Sequence, residues 1–475
     1  MHSARSLRDM RPPVFFRPSV FTCMSVPSAL VSSMLHHAPA GRIHRVLFFV
    51  CLLAGFVGGA LSPRPSYAQL PERLSPSARV EILTMAPGTA VHAVFGHSAL
   101  RVVDPGLGLD AVFNYGTFNP DDPLFIPRFA YGDMQYFVSA APGRAVMDAY
   151  AAEGRSVYAQ TMRLSPDGVA ALYAALRTNL EPENRTYLYD FVRDNCSTRL
   201  IDLLSLYAGL QWPAPDTTGA RQNAHEARTP EATFRELIRS YLEPHPWLDL
   251  GIDLVLGAPM ERVPSPRERT FLPFELMAAL EEATVPGAPD ATPDADSTLP
   301  TAKDPTRLPA VIRTDTLFSG RIQGPALHGA TRTGVAPSRA PFVWPFYLTA
   351  LLLALVAFVP GRRGSPRPGS SRRADRLDRT LLWTTGLLGL FLLVMWLGTQ
   401  HTVTSWNSNL LWAFPLNFLL LRLRAARTLS VVAAIGCVLA ALSPALPIQS
   451  VPPAVWPFTL LLGALHARRC IRKFP

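Results

Sequence analysis

Tyr189-Asp190-Phe191-Val192-Arg193-Asp194-Asn195-Cys196-Ser197-Thr198-Arg199 is the stretch from which the fold is read. Asp194 and Asn195 are good helix N-caps. A short side-chain oxygen there accepts a hydrogen bond from the orphan N–H groups of the first turn. The run that follows, 196–210, has helical periodicity, with Leu200, Leu203, Leu204 and Tyr207 on one side and Gly209 near its end. Cys196 therefore stands in the first turn of an amphipathic helix. Unsatisfied N–H groups and the helix dipole favour a thiolate there and lower its pKa. The same N–H groups suit an oxyanion.

Upstream of this helix the pattern changes to strands. Residues 79–84, 98–103 and 111–115 alternate, and 167–180 has helical periodicity behind the start signal Ser165-Pro166. The class expected for residues 69–283 is therefore α+β. A thiolate needs a base. Of the histidines in this region, His97 stands at the start of a strand just after Gly96. His92 lies five residues earlier and faces the other way on one continuous strand. His225 and His245 lie in polar or Pro-flanked stretches, and His328 falls in a Pro-rich segment. His97 is the candidate base. A histidine at a strand start is more often structural, so the pairing with Cys196 is what singles it out.

The ends of the chain place this domain. Arg42 and Arg45 precede the apolar run 46–61, and Ser66-Tyr67-Ala68 follows with small residues at the cleavage-defining positions. That pattern is an export signal cut after Ala68. The same run also suits an uncleaved anchor helix, and Met34 offers an alternative start. Residues 284–340 are rich in Pro, Ala, Thr and Asp and read as a linker. Residues 341–475 hold apolar runs at 342–359, 381–397, 410–421, 429–446 and 455–465. The first two are long enough to span a bilayer, which takes roughly 20 residues. The third contains Pro415, and the third and fifth are short. Basic clusters fall at 361–379, at Arg422, Arg424 and Arg427, and at Arg468, Arg469, Arg472 and Lys473. The loops 398–409 and 447–454 hold no Lys or Arg. By the positive-inside rule this gives five helical spans with the preceding domain outside and the C-terminal tail in the cytoplasm. The net charge of +10 thus reflects membrane orientation, and nucleic acid is not an expected partner.

Cysteine usage sharpens the reading. Of five cysteines, Cys23 and Cys51 fall in the expected signal segment, Cys437 in a span and Cys470 in the tail. Only Cys196 is exported. An unpaired thiol in an oxidising compartment is either buried and inert or kept for its reactivity.

The order of His-bearing strand and then Asn-Cys helix resembles circularly permuted members of the NlpC/P60 papain-like group, including the lecithin:retinol acyltransferase relatives, which form acyl thioesters. A longer resemblance covers most of the mature chain. FGHSALRV (95–102), VFNYGTF (112–118), PENRTYLYDFVRDNCSTR (182–199), GIDLVLGAP (251–259) and SPRERTFLP (265–273) are similar to the periplasmic domain of the Lnb-type lipoprotein N-acyltransferases. HTVTSWNSNLLWAFPL (401–416) is similar to that family's membrane part. The resemblance implies a bacterial inner-membrane acyltransferase with a permuted papain-like domain. It implies a phospholipid acyl donor, a diacylglyceryl lipoprotein acceptor, and Cys196 and His97 as the catalytic pair, with no cofactor or metal.

Smaller expectations attach to other residues. Arg101, Asn114, Tyr115, Asn195, Arg199 and His401 are candidates for binding or orienting substrate. Arg101 shares the strand face of His97 and could meet a phosphate, although a solvated arginine is the commoner case. Asn114 and Tyr115 either orient the imidazole or pack a sheet. Asp190 and Asp194 either cap or pair with Arg185 or Arg199. His401, Asn407 and Asn409 lie at the outer membrane–water interface, where a headgroup would reach. Two rival classes remain: a cell-wall peptidase with the same dyad, which needs no multi-span domain, and a non-enzymatic envelope scaffold with an inert Cys196. No spaced His/Cys/Asp cluster and no phosphate-binding glycine loop stands out.

Overall fold

The computed structural model describes residues 70–212, 232–286, 307–321, 343–358, 368–421, 426–446 and 448–471. The expected signal with its cleavage site at Ala68 lies outside the described residues, as do His225 and His328. The chain divides into two units. The first is Met1–Glu72 with Glu181–Glu183, and its described residues are bends, turns and coil. The second, Arg73–Leu180 with Asn184–Pro475, carries every element named below.

The domain before the membrane segment is α+β. Its centre is an antiparallel sheet of β1 (Arg79–Met85), β2 (His97–Asp104), β3 (Leu109–Thr117), β4 (Gln135–Pro142), β5 (Val157–Met162), β6 (Thr186–Leu188) and β9 (Val311–Phe318), in the order β6-β4-β3-β2-β1-β5-β9. β1 reads RVEILTM and is buried from its second residue on, as a strand covered on both faces requires. The three strands expected from alternation are β1, β2 and β3, longer than expected by one, two and four residues.

Helices α1 (Phe125–Tyr131), α2 (Gly143–Ala152), α3 (Pro166–Leu180) and α4 (Cys196–Tyr207) follow in chain order. α4 packs against β2 and β3, and its Leu200, Ile201 and Leu204 are all fully buried. It ends at Tyr207, three residues before the expected 210. There Gly209 adopts a left-handed φ of +61° and the Leu210 N–H returns to the Leu204 carbonyl at 3.3 Å. Helices α5 (Phe234–Leu242), α6 (Pro246–Val255), α7 (Pro266–Arg269) and α8 (Pro273–Glu282) gather on a second core around Phe234, Phe271 and Leu272.

Part of the expected linker 284–340 is folded. β7 (Thr284–Pro286) pairs with β8 (Arg307–Pro309), and β9 extends the main sheet beside β5. β9 escapes a search for alternation because it is an edge strand with most residues exposed. Its Arg313 and Asp315 are ion-paired at 2.7 Å.

The C-terminal part holds α9 (Trp344–Phe358), α10 (Pro368–Leu397), α11 (Ala426–Leu442) and α12 (Trp456–Ile471). Among the described residues, two helical stretches, Arg376–Leu397 and Arg427–Ala445, are long and apolar enough to cross a membrane, and Trp344–Leu355 is apolar but shorter. Of the five apolar runs expected to span as helices, one departs from that expectation. The third run, 410–421, is not a helix: it contains short 3-10 turns at Ser408–Leu411 and Leu419–Leu421 joined by irregular chain. Pro415 removes a backbone donor that a helix would need. Glycines on the flanking helices let this irregular backbone in. A Cβ on Gly389 would stand 1.8 Å from the Ala413 carbonyl oxygen, and one on Gly436 would stand 2.3 Å from that of Leu411. Asn417 donates its Nδ2 to Thr385 Oγ1 of α10 at 3.1 Å.

Candidate active site

Cys196 and His97 come together at one end of the sheet. The chain enters β2 through Gly96, whose φ is +78° and whose added Cβ would lie 2.6 Å from the Met85 carbonyl oxygen, so glycine is required there. His97 then opens β2 opposite Met85 of β1. Cys196 opens α4 and is only 9% exposed. Burial alone pushes its thiol pKa up. The His97 imidazole outweighs that by charge and by a hydrogen bond, helped by the Ser98 backbone N–H and the Ser197 hydroxyl, so the thiol lies below its ordinary value. His97 Nε2 lies 3.4 Å from Asn114 Oδ1 of β3, so Asn114 does reach the imidazole.

Asn195 fixes where the thiol stands. Its Oδ1 accepts from Ser197 N at 2.8 Å and Thr198 N at 2.9 Å, and its Nδ2 donates to the carbonyls of Phe191 at 2.7 Å and Phe271 at 2.8 Å. Thr198 returns the cap by accepting from Asn195 N at 2.8 Å. Asn195 is thus a positioning residue, already committed to protein partners. The cap also narrows the expected oxyanion site. Ser197 and Thr198 N–H are held by Asn195, so of these three amides only that of Cys196 is not.

The other expected site residues are occupied elsewhere. Arg101 donates to both oxygens of Asp110, at 2.7 and 2.8 Å, and to Glu81 at 3.0 Å. It is neither a solvated arginine nor a free phosphate ligand. Tyr115 is buried, and its hydroxyl accepts from Asn179 Nδ2 at 2.7 Å. Arg199 forms a two-pronged pair with Asp194 and lies over the Tyr187 ring, 4.1 Å from its centroid. Asp190 caps its own loop by accepting from Val192 and Arg193 N–H, both at 2.9 Å, and Arg185 lies over Phe137. His92 stands in a 3-10 turn rather than on a strand, with its ring 5.9 Å from that of Phe118.

Two family models match the chain. One, the Lnb N-terminal periplasmic domain, covers residues 67–239, and the other, the Lnb transmembrane domain, covers residues 338–472. The chain belongs to the Lnb family. No curated protein and no solved structure matches it. Lnb membership makes this an inner-membrane protein with a periplasmic N-terminal domain, and suggests a lipoprotein N-acyltransferase-like role.

In this Lnb chain the loops after α10 and α11 hold the periplasmic domain. His401 Nε2 donates to the Phe129 carbonyl of α1 at 2.8 Å, so it joins the two parts and does not touch Cys196. Asn407 and Asn409 are buried, not solvated. Their Nδ2 groups donate to the Leu254 carbonyl at 2.8 and 3.1 Å, and that of Asn407 also to Val255 at 3.0 Å. Gln449, in the other loop, donates to the Leu256 carbonyl at 2.7 Å. These side chains satisfy the last carbonyls of α6. Gly257 pairs directly, its N–H donating to Val403 at 2.8 Å, and a Cβ there would stand 1.8 Å from the Ser405 oxygen.

Sequence reasoning missed Ser98 and Ser197, whose hydroxyls meet at 3.0 Å in the core and tie β2 to α4 beside the dyad. The signal was available: each candidate catalytic residue is followed by a serine. It also missed Arg235, buried against Asp253 and Glu261 and donating to the Leu256 carbonyl at 2.9 Å.

Proposed function

We propose that the protein transfers a fatty acyl group from a phospholipid, through a thioester on Cys196, to the α-amine of the N-terminal diacylglyceryl-cysteine of lipoproteins. The observation that carries this reading is the buried Cys196 thiol at a capped helix start, within hydrogen-bonding reach of the His97 imidazole. With His97 Nε2–H turned to Asn114, Nδ1 takes the thiol proton. The thiolate attacks the ester carbonyl, and the tetrahedral oxyanion accepts from the Cys196 N–H. The C–O bond then breaks, and the leaving lysophospholipid oxygen takes the proton back from His97. In the second half the acceptor amine attacks the thioester, loses a proton to His97, and releases Cys196 as the thiol with an amide formed. Burial of Cys196 keeps water from competing with the amine. His-strand before Cys-helix is also the order of a permuted papain-like domain, which supports that fold for the periplasmic part.

The membrane part supports the same orientation. Both Arg-free loops bond to the periplasmic domain, so α10 and α11 each end on its side. The described chain from 398 to 421 then returns toward the far side. Its irregular stretch runs from Asn409, bonded to Leu254, to Leu420, whose carbonyl accepts from Arg469 near the basic end of α12. That makes a fifth crossing without a long helix, sheltered between α10 and α11 as non-helical backbone in a membrane requires. It leaves the C-terminal tail in the cytoplasm.

The test is acylation of a diacylated lipoprotein by purified protein in phospholipid vesicles, followed by mass spectrometry. Cys196→Ser and His97→Ala each abolish the added acyl group, and the double variant is no worse than either, because groups acting in one step are non-additive. Full activity of Cys196→Ser would rule out the thiol mechanism.

A further inference from the structure

α1 is an apolar helix with no buried residue. It reads FIPRFAY, and with the preceding Leu124 it exposes Leu124, Ile126, Phe129 and Tyr131, each by about half or more and Ile126 by 70%. An apolar cluster of this kind on a domain surface marks a contact. The contact is indicated by where α1 is tied. Its Tyr131 carbonyl accepts from Gln400 N at 2.8 Å, and its Phe129 carbonyl from His401 Nε2 at 2.8 Å. Gln400 lies three residues beyond the end of α10, at Leu397. Trp396 and Trp406, rings 5.0 Å apart, flank the same loop, as tryptophans do at a membrane–water boundary. α1 is therefore held at the level where a span leaves the bilayer.

Behind the exposed face a series of rings leads inward. Phe129 is 6.3 Å from Phe125, Phe125 stacks on Phe118 at 5.0 Å, and Phe118 is 5.5 Å from Tyr136. Tyr136 stacks on Tyr189 at 4.4 Å. Tyr189 and Cys196 both flank the empty side-chain position of Gly116, where a Cβ would lie 3.8 Å from the Tyr189 ring and 3.7 Å from Cys196 Cβ. The series thus begins on the bilayer-level helix and ends at the candidate nucleophile.

We propose that α1 dips into the periplasmic leaflet and that the ring series Phe129, Phe125, Phe118, Tyr136 and Tyr189 is the track along which a bilayer phospholipid's acyl chain reaches Cys196. The tail lies along the rings, and the ester carbonyl stands at the thiol. This rests on the acyl-transfer reading and adds to it the route of the donor.

Two measurements on the full chain in vesicles of phosphatidylethanolamine and phosphatidylglycerol test it. A benzophenone amino acid at position 126 is photolysed and its adducts identified by mass spectrometry. Position 107, exposed in the β2–β3 turn at the far end of β2 from His97, serves as reference. Phospholipid adducts are expected at 126 at tenfold or more the yield at 107. Equal yields, or adducts only to protein, would overturn the proposal. Separately, the rate of thioester formation on Cys196 is compared for vesicle phospholipid and for a soluble short-chain p-nitrophenyl ester. Leu124→Asp combined with Ile126→Asp is expected to lower the ratio of vesicle to soluble rate at least tenfold, and an unmoved ratio would overturn the track. If the unmutated protein forms no thioester with either donor, the acyl-transfer reading fails and the track with it, while the crosslink still decides whether α1 meets lipid.

Discussion

At the scale of the residue, two opposing forces set the state of Cys196. Burial disfavours the thiolate most strongly, and the charge and hydrogen bond of His97, with the Ser98 N–H and the Ser197 hydroxyl, together outweigh it. The thiolate is the form that reacts with iodoacetamide, so labelling against pH has its midpoint below that of an ordinary free thiol. In His97→Ala the charge and hydrogen bond of the imidazole are lost while burial remains, so the midpoint moves up relative to the unmutated protein. Equal midpoints in the two proteins would contradict the assignment. Asn195 gives a second expectation. Aspartate is ordinarily as good an N-cap as asparagine. Here Nδ2 donates to two carbonyls, and a carboxylate would face both with no proton to offer. Asn195→Asp therefore destabilises the protein by at least as much as Asn195→Ala, on the order of 1–3 kcal/mol for each buried bond lost, read from thermal unfolding. Rescue by aspartate would show that the cap alone matters. Cys196, His97 and the cap were legible in the sequence because helix-start chemistry is local. The commitments of Arg101 were not, because Glu81 and Asp110 reach it from neighbouring strands through a register that no local pattern encodes.

At the scale of the element, hydropathy locates apolar runs but does not assign their conformation. The runs at 342–359, 381–397, 429–446 and 455–465 correspond to helices, while 410–421 does not. Pro415 and its shortness were the visible warnings. The glycines that accept its backbone, Gly389 and Gly436, sit on other helices and declare themselves only in three dimensions. Gly389→Val should lower the unfolding midpoint in detergent, with overpacking costing about 1–3 kcal/mol or more. Gly251 in α6 has open space where its side chain would stand. Gly251→Ala is therefore neutral or stabilising, by up to roughly 1 kcal/mol. Equal effects at the two sites would contradict the close approach of irregular chain to α10. β9 was illegible for a related reason: an exposed edge strand presents charges where a buried strand shows alternation.

At the scale of the whole molecule, the distribution of arginine carries the proposed orientation, and both Arg-free loops meet the periplasmic domain. The two loops without Lys or Arg satisfy the carbonyls at the end of α6. Alkaline phosphatase fused after Gln400 should be active and fused after Ser370 inactive, and the reverse would invert the topology. That these loops do more than turn the chain was not legible, because their asparagines read as ordinary interfacial polar residues until the facing carbonyls were seen. The arrangement fixes the periplasmic domain against the membrane part, and on the proposed acyl transfer the bilayer would supply both lipid substrates beside it. The most direct test is the mass of a lipoprotein N-terminus in a cell whose only N-acyltransferase is this protein. The account predicts a third acyl chain with the unmutated protein and only the diacylated form with Cys196→Ser expressed at the same level. A triacylated N-terminus in the Cys196→Ser cell would contradict it.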